Sequence, residues 1–148
     1  PNSPVIATGK RDGSKIRLPN GNYLEETASY FVMVETKTGG YTPSLITMKS
    51  TQLNVSKKWN SMMKTTQFPD GKGGFATPPM FGVVYNLAST LQKNDKGSWY
   101  GWVVTMDRIL GQEDKSLYLG AKDFGANVSK GAVQTKSDVE EKSDSTPY

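Results

Sequence analysis

The sequence predicts a β-rich α+β fold, in which a small antiparallel sheet carries one helix between its strands and one helix at the C-terminal end. Three observations predict it. Alternating apolar and polar runs, rich in β-branched and aromatic residues, occur in pairs around turns that contain Gly or Asn. Two longer segments have apolar residues at helical spacing instead. A chain of 148 residues, 35% of them hydrophobic, is long enough for one domain with its own core.

The first 14 residues are predicted to form a basic arm, because turn-forming residues dominate them and the positive charges Lys10, Arg11 and Arg17 lie within or just after them. A short strand is predicted over residues 15–19. Basic side chains on such an arm either stay solvated or contact phosphate groups.

A hairpin is predicted next, with strands over residues 28–36 and 41–49. Pro43 cannot donate a backbone hydrogen bond, so the second strand is expected to begin at an edge or a bulge. A helix is then expected to begin with Ser50 or Thr51 as its cap and to run to about Thr65. Its apolar stripe has the spacing i, i+4, i+7 and i+8 and consists of Val55, Trp59, Met62 and Met63.

Residues 67–79 have the composition of a mobile loop, since Gly and Pro are frequent there. Phe68 and Phe75 lie on this loop, with Lys72 between them. Two interpretations stay open: the rings clamp nucleic-acid bases by stacking, or they attach the loop to the body of the domain.

Residues 81–106 form the strongest hairpin pattern, with a polar turn over residues 92–98. Alternation places Tyr100 and Trp102 on one face of the second strand and Trp99 on the other. One small core cannot cover rings on both faces, so at least one set is expected in a groove or against a second layer. Gly82 and Gly101 fit either a bend of a closing barrel or a point where a ligand approaches the backbone.

A second helix is predicted over residues 113–130, with Gly131 in the position that follows a helix C-terminus. Its inward stripe consists of Leu117, Ala121, Phe124 and Val128. Residues 132–148 lack an apolar stripe and are predicted to be an acidic flexible tail, so the globular domain is expected to span residues 1–131.

The composition limits the chemistry that the chain can perform. It contains neither Cys nor His, which excludes disulfides, thiolate or imidazole metal ligands, and Ser-His catalysis. We expect no enzymatic activity, no catalytic or metal site and no cofactor. One alternative is a magnesium-dependent nuclease, because Pro69-Asp70 followed by Glu113-Asp114-Lys115 matches a short motif of such enzymes.

The charge is unevenly distributed along the chain. Residues 1–130 hold 16 basic and 10 acidic residues, whereas residues 131–148 hold 2 basic and 4 acidic ones. A basic body with an acidic tail favours a polyanion as partner. No apolar run is long enough to span a membrane, and no signal-peptide pattern is present, so we expect the protein to act in the cytoplasm.

Two segments, LITMKSTQLNVSKKWNSMM (residues 45–63) and NDKGSWYGWVV (residues 94–104), resemble proteins encoded in the replication regions of tailed bacteriophages. With the helix over 117–131, the resemblance covers about half the chain. It implies a single-stranded DNA-binding protein that acts in phage replication or recombination, in the cytoplasm of the host cell. The order of elements is that of a sheet curled into an OB-like barrel.

The last residues, Asp144-Ser145-Thr146-Pro147-Tyr148, are similar to the acidic tip of bacterial single-stranded DNA-binding proteins, although this chain ends in Tyr and not in Phe. That similarity implies that Asp144, Pro147 and Tyr148 dock other replication or recombination proteins.

These observations lead to a hypothesis in which rings stack on bases and basic side chains bind phosphates, without reading sequence. The stacking candidates are Tyr85, Tyr100, Trp102 and Phe75. The phosphate candidates are Lys10, Arg11, Arg17, Lys49, Lys93, Lys96 and Arg108. The alternative is a phage structural or protein-interaction module that binds no nucleic acid, and the formation of a homo-oligomer stays open in either case.

Overall fold

Two long β-hairpins with a helix packed against both form the framework of the chain. A computed structural model describes residues 4–13 and 15–133. The helices are α1 (Pro4–Ala7), α2 (Leu53–Thr65) and α3 (Lys115–Ser129). The strands are β1 (Lys10–Asp12), β2 (Lys15–Arg17), β3 (Tyr23–Glu25), β4 (Thr27–Glu35), β5 (Tyr41–Lys49), β6 (Phe68–Pro69), β7 (Phe75–Ala76), β8 (Val83–Asn94) and β9 (Gly97–Ile109).

The N-terminal segment forms a small sheet in which β1, β2 and β3 pair antiparallel in that order. The predicted basic arm over residues 1–14 includes β1, which pairs with β2 along its whole length, from Lys10 opposite Arg17 to Asp12 opposite Lys15. The predicted Asn20-Gly21 turn is confirmed, and Gly21 has the positive φ of 86° that favours glycine.

The first long hairpin is β4–β5, as the alternation predicts. Its ladder runs without a register shift from Thr27 opposite Lys49 to Glu35 opposite Tyr41. Pro43 lies inside the regular ladder, opposite Met33. No bulge is needed. Each strand of a two-stranded sheet has a free edge, and a proline whose backbone nitrogen faces that edge removes no hydrogen bond from the ladder.

Helix α2 begins later than the sequence predicts. Residues Ser50–Gln52 form a 3-10 turn, Gln52 precedes the first helical residue, and no side chain caps the helix. The prediction of Ser50 or Thr51 as the cap is wrong. Ser50 instead has a φ of 52°, a conformation that is unfavourable for a residue with a side chain, at the point where the chain leaves β5.

Trp59 of α2 joins the two hairpins. Its ring lies 4.4 Å from that of Tyr30 on β4 and 5.7 Å from that of Tyr85 on β8, measured between centroids. Within the described residues, Trp59 and Met48 are the only buried large hydrophobic side chains, with exposures of 6% and 0%. The core is therefore small, and the predicted stripe of α2 supplies its centre.

The second long hairpin, β8–β9, is confirmed, but its turn is shorter than predicted, because Asn94 pairs directly with Gly97. A bulge between Val84 and Tyr85 leaves Asp107 unpaired. In the described part of the chain, the ladders form four separate sheets with no strand pairing between β4–β5 and β8–β9. The α+β class is confirmed and the OB-like barrel is not formed, because the hairpins meet through the side chain of Trp59 and not through a shared ladder.

The segment predicted as a mobile loop contains the short hairpin β6–β7. The Asp70 carboxylate accepts hydrogen bonds from the backbone N–H groups of Lys72, at 2.8 Å, and Gly74, at 2.9 Å. These two N–H groups lower the pKa of Asp70. The loop thus has a defined conformation that its own carboxylate stabilises.

Helix α3 follows a 3-10 turn over Gln112–Asp114 and packs on the 3-10 turn Met80–Gly82 that precedes β8, where the rings of Phe81 and Tyr118 lie 5.3 Å apart. The glycine predicted beyond its end is confirmed, with φ at 68° for Gly131. The tail predicted over residues 132–148 lies outside the described residues from residue 134 onward.

Gly101 lies on β9 where the backbone meets two glutamine side chains. A Cβ atom at this position would lie 2.5 Å from the Gln52 Nε2 atom and 2.6 Å from the Gln92 Nε2 atom. We therefore expect Gly101→Ala to displace these flexible side chains and to lower the free energy of unfolding by about 0.5–1.5 kcal/mol, because the hydrogen bond from the Trp102 N–H to Gln52 is lost. Urea unfolding measures this change.

Gly120→Ala is the matched control, because nothing lies within 4 Å of a Cβ atom there and the residue is inside α3. It is expected to stabilise the chain by about 0.5–1 kcal/mol. Equal stability of Gly101→Ala and the unmodified chain would show that Gln52 and Gln92 do not constrain the strand.

Candidate nucleic-acid interface

The register of β8–β9 places three of the four predicted stacking rings on one face of the hairpin. Tyr85 lies opposite Met106, Ser89 opposite Trp102, and Leu91 opposite Tyr100. Directly opposed residues of an antiparallel pair share a face, and residues two apart on a strand do as well. Tyr85, Tyr100 and Trp102 therefore point to the same side.

The outer half of this side is open to solvent. Tyr100 is 73% exposed, Leu91 48% and Trp102 37%. We call these three residues the ring face. Tyr100 and Trp102 are two residues apart on one strand, which separates their positions by about 7 Å. Two aromatic side chains at this spacing form a platform on which neighbouring planar groups can stack.

Tyr85 occupies the inner half of the same side and is not part of the ring face. It is half-buried and packs edge-on against Trp59. Burial raises the pKa of Tyr85 above its ordinary value of 10.0, and its buried hydroxyl has no hydrogen-bond partner. The structure packs this predicted stacking residue against the core residue Trp59, where it supports the hairpin.

The environment of Tyr85 makes stability depend on pH. The folded chain holds the neutral phenol, whereas the unfolded chain releases the proton near pH 10, so the stability that Tyr85 contributes is present below that pH and is lost as the pH rises above it. Tyr85→Phe should leave stability at pH 7 unchanged or raise it by up to about 1 kcal/mol, because an unpaired buried hydroxyl is removed.

The measurement is urea unfolding of both chains from pH 7 to above pH 10. We expect the advantage of Tyr85→Phe over the unmodified chain to grow above pH 10. An advantage that stays constant over this range would mean that Tyr85 titrates as an exposed phenol.

The opposite side of the hairpin is held against the start of α2. The backbone N–H of Trp102 donates a hydrogen bond of 2.8 Å to the Oε1 atom of Gln52, and Gly101 is buried beneath the same side chain. This bond holds the edge of β9 at Trp102, which belongs to the ring face. The ring face therefore lies on a strand that Gln52 helps to hold in place.

Two of the predicted phosphate-binding lysines lie at the tip of this hairpin. Lys93 is exposed and shares the side of the ring face, since it lies two residues beyond Leu91. Lys96 is in the turn and lines a concavity of about 360 Å³ together with Ser50 and Trp99. Lys93 therefore places positive charge on the side of the rings, as a platform for a nucleic-acid strand requires, whereas the concavity of Lys96 lies on the side of Trp99.

Arg108 and Lys49 are engaged with carboxylates. The Arg108 guanidinium lies 2.9 Å from the Asp114 carboxylate and 3.2 Å from that of Asp107, and this hydrogen-bonded pairing lowers the pKa of Asp114. Arg108 therefore connects the end of β9 to the start of α3. Lys49 lies 3.6 Å from Glu25 in an exposed ion pair, which leaves it accessible to another anion.

The other basic candidates lie on the N-terminal sheet. Lys10 and Arg17 are directly opposite each other, whereas Arg11 pairs with Ile16 on the other face of the sheet. The structure therefore brings Lys10 and Arg17 together and separates Arg11 from them. Phe75, the fourth stacking candidate, is 70% exposed and lies on a different hairpin from the ring face.

The nuclease motif does not form a recognisable centre. In the described ranges, 4–13 and 15–133, no three acidic side chains are grouped as metal binding would require. The Asp70 carboxylate is already bound by the backbone of its own loop.

Leu91 was not among the sequence candidates, although it belongs to the ring face. Alternation alone places it on the same side as Tyr85, but only the pairing with β9 shows that it faces Tyr100. Asp144, Pro147 and Tyr148, the predicted docking residues of the tail, lie outside the described residues. In the part of the chain that the structure describes, no helix has the length and apolar character needed to span a membrane.

Most of the chain matches a family of known proteins. Residues 3–134 match a family model described as Pam3 phage gp34-like protein. No curated protein and no solved structure matches the chain. The matched segment includes both long hairpins, α2, α3 and the N-terminal sheet.

Proposed function

The chain belongs to the Pam3 phage gp34-like family and is thus a phage protein, and we propose that it binds single-stranded DNA without sequence preference during phage DNA replication or recombination. The main support for the proposal is the ring face, where Tyr100 and Trp102 are exposed on one side of β9. The hydrogen bond from the Trp102 N–H to Gln52 holds this strand in place. Every base has a flat π-face, so stacking on these rings tolerates any sequence.

In this proposal, the lysines at the hairpin tip provide the electrostatic part of binding. Lys93 lies on the side of the ring face, and Lys96 follows in the turn. Each phosphate that a lysine neutralises releases a counterion, so affinity falls as salt rises. The protein acts without catalysis in the cytoplasm of the host cell. Its acidic tail competes with DNA for the basic surface and docks other replication or recombination proteins.

The test is fluorescence anisotropy of a labelled oligo-dT strand, titrated with the full chain over a series of salt concentrations, with tryptophan emission followed in the same samples. We expect saturable binding that weakens steeply with salt and quenches the emission of Trp102, the tryptophan of the ring face. Anisotropy that stays flat at low salt would overturn the proposal.

A second candidate function is a structural or protein-interaction module of the phage, and a specific observation favours it. Phe31 and Leu45 lie directly opposite each other on the outer face of β4–β5 and are 38% and 42% exposed. An apolar pair outside so small a core fits a protein interface. A stable large oligomer in light scattering, without binding of single-stranded DNA at low salt, would favour this function.

A further inference from the structure

On one face of the N-terminal sheet, the charged side chains lie in two cross-strand rows. The cross-strand register joins Lys10, Arg17 and Tyr23 in one row and Asp12, Lys15 and Glu25 in the next. In the second row, the lysine lies between two carboxylates. In the first row, two positive charges lie side by side with an aromatic ring.

The first row is unfavourable for the isolated sheet. Like charges that face each other directly across two strands repel and destabilise the pair. Within the described residues, neither Lys10 nor Arg17 forms an ion pair with a carboxylate. An anion bound between the two side chains would relieve this repulsion, and a phosphate group, which accepts hydrogen bonds on several oxygens, suits both.

Tyr23 completes a site for a nucleotide. Its ring is 50% exposed, and the Arg17 guanidinium lies 5.9 Å from the ring centroid on one side. The Tyr23 hydroxyl donates a hydrogen bond of 3.3 Å to Asp12. The Tyr23 ring is thus held at its edge and on one face before any ligand binds, and its other face is left for a base. Because the side chain is already ordered, binding costs less conformational entropy.

We infer that Lys10, Arg17 and Tyr23 form a second contact site for single-stranded nucleic acid, in which the two basic side chains bind one phosphate and Tyr23 stacks on the adjacent base. This inference rests on the proposed function, which it extends from the hairpin to the N-terminal sheet. Arg11, on the opposite face of the same sheet, takes no part in the site.

Contacts along the chain connect the new site to the hairpin tip. Glu25, at the end of the second row, forms an ion pair of 3.6 Å with Lys49. Lys49 precedes Ser50, which lines the same concavity as Lys96. These contacts place Lys49 beside the second row of the N-terminal sheet and next in sequence to a residue of the concavity that Lys96 lines.

The experiment compares Arg17→Gln with Arg11→Gln in the full chain. Both changes remove one exposed positive charge from neighbouring strands of the same sheet, but on opposite faces. With labelled oligo-dT over a salt series, Arg17→Gln should reduce the slope of log K against log salt by about 0.7, the value for one phosphate contact on a single strand. Arg11→Gln should leave the slope unchanged.

Tyr23 is tested separately. Tyr23→Ser should lower the affinity by about 5-fold or more, while Tyr23→Phe should retain it, because stacking requires the ring and not the hydroxyl. If the unmodified chain binds but Arg17→Gln keeps the slope and Tyr23→Ser keeps the affinity, this inference alone is overturned. If the unmodified chain does not bind the strand at low salt, the proposed function fails together with it.

Discussion

Tyr100→Ala and Trp102→Ala are each expected to weaken binding of single-stranded DNA by about 1–3 kcal/mol, which is the contribution of one base stacked on an aromatic side chain. Tyr100 is 73% exposed, so its removal leaves the packing of the hairpin almost unchanged. Anisotropy titrations with oligo-dT at one fixed, low salt concentration measure the effect, because stacking depends less on salt than phosphate contacts do.

Two further variants separate stacking from other causes. Phe31→Ala removes a ring from the outer face of β4–β5. Phe31 is as exposed as Trp102, at 38% against 37%, but it lies away from the ring face, so its removal should leave DNA affinity unchanged. Trp102→Phe keeps a ring on the ring face but removes the indole. It should therefore retain most of the affinity while the quenching of tryptophan emission largely disappears.

Unchanged affinity in both Tyr100→Ala and Trp102→Ala would show that the ring face does not bind DNA, even if the chain does. The N-terminal sheet would then be the main contact surface. A loss of affinity in Phe31→Ala equal to that in Trp102→Ala would instead indicate that binding depends on an assembly through β4–β5, as the second candidate function requires.

The elements that the sequence predicts well are those whose pattern is local. The hairpin β4–β5, the Asn20-Gly21 turn and the apolar stripe of α2 are encoded by alternation, turn chemistry and helical spacing within a few residues. Gly131 after α3 belongs to the same class, since its positive φ follows from the local geometry of a helix end.

The errors concern relations between segments. The OB-like barrel required strand pairing between β4–β5 and β8–β9, and the sequence pattern of each hairpin is the same whether or not such pairing forms. The side chain of Trp59 joins these hairpins instead. The predicted cap of α2 is wrong for a related reason: Ser50 is a favourable cap residue, but the exit from β5 places it in a left-handed conformation as the first residue of a 3-10 turn.

In the candidate sites, too, local features could be predicted from the sequence, whereas features that depend on contacts between segments could not. Exposed rings on β9 could be predicted by alternation, but the burial of Tyr85 could not, because it depends on contact with α2. Tyr23 was not predicted at all, although it follows the Asn20-Gly21 turn by two residues. Its role depends on the cross-strand register, which puts it beside Arg17.

The largest effect on folding is expected from Trp59→Ala. Trp59 is 6% exposed and contacts Tyr30 of one hairpin and Tyr85 of the other, so its loss leaves a cavity where both hairpins and α2 meet. Truncation of a buried tryptophan lowers the free energy of unfolding by about 3–5 kcal/mol. Two-stranded hairpins are marginal by themselves, so a loss of this size is expected to leave much of the protein unfolded at 37 °C.

Urea unfolding, followed by circular dichroism, measures this change, with Trp59→Phe and Phe75→Ala as comparisons. Trp59→Phe keeps a ring between Tyr30 and Tyr85 and should retain part of the stability. Phe75→Ala removes a ring that is 70% exposed, so a change within about 0.5 kcal/mol is expected. An unfolding midpoint of Trp59→Ala equal to that of the unmodified chain would mean that the hairpins are stabilised elsewhere. The two hairpins would then have to be stabilised by contacts with another copy or with a phage partner. That result would favour the interaction module over the DNA-binding protein.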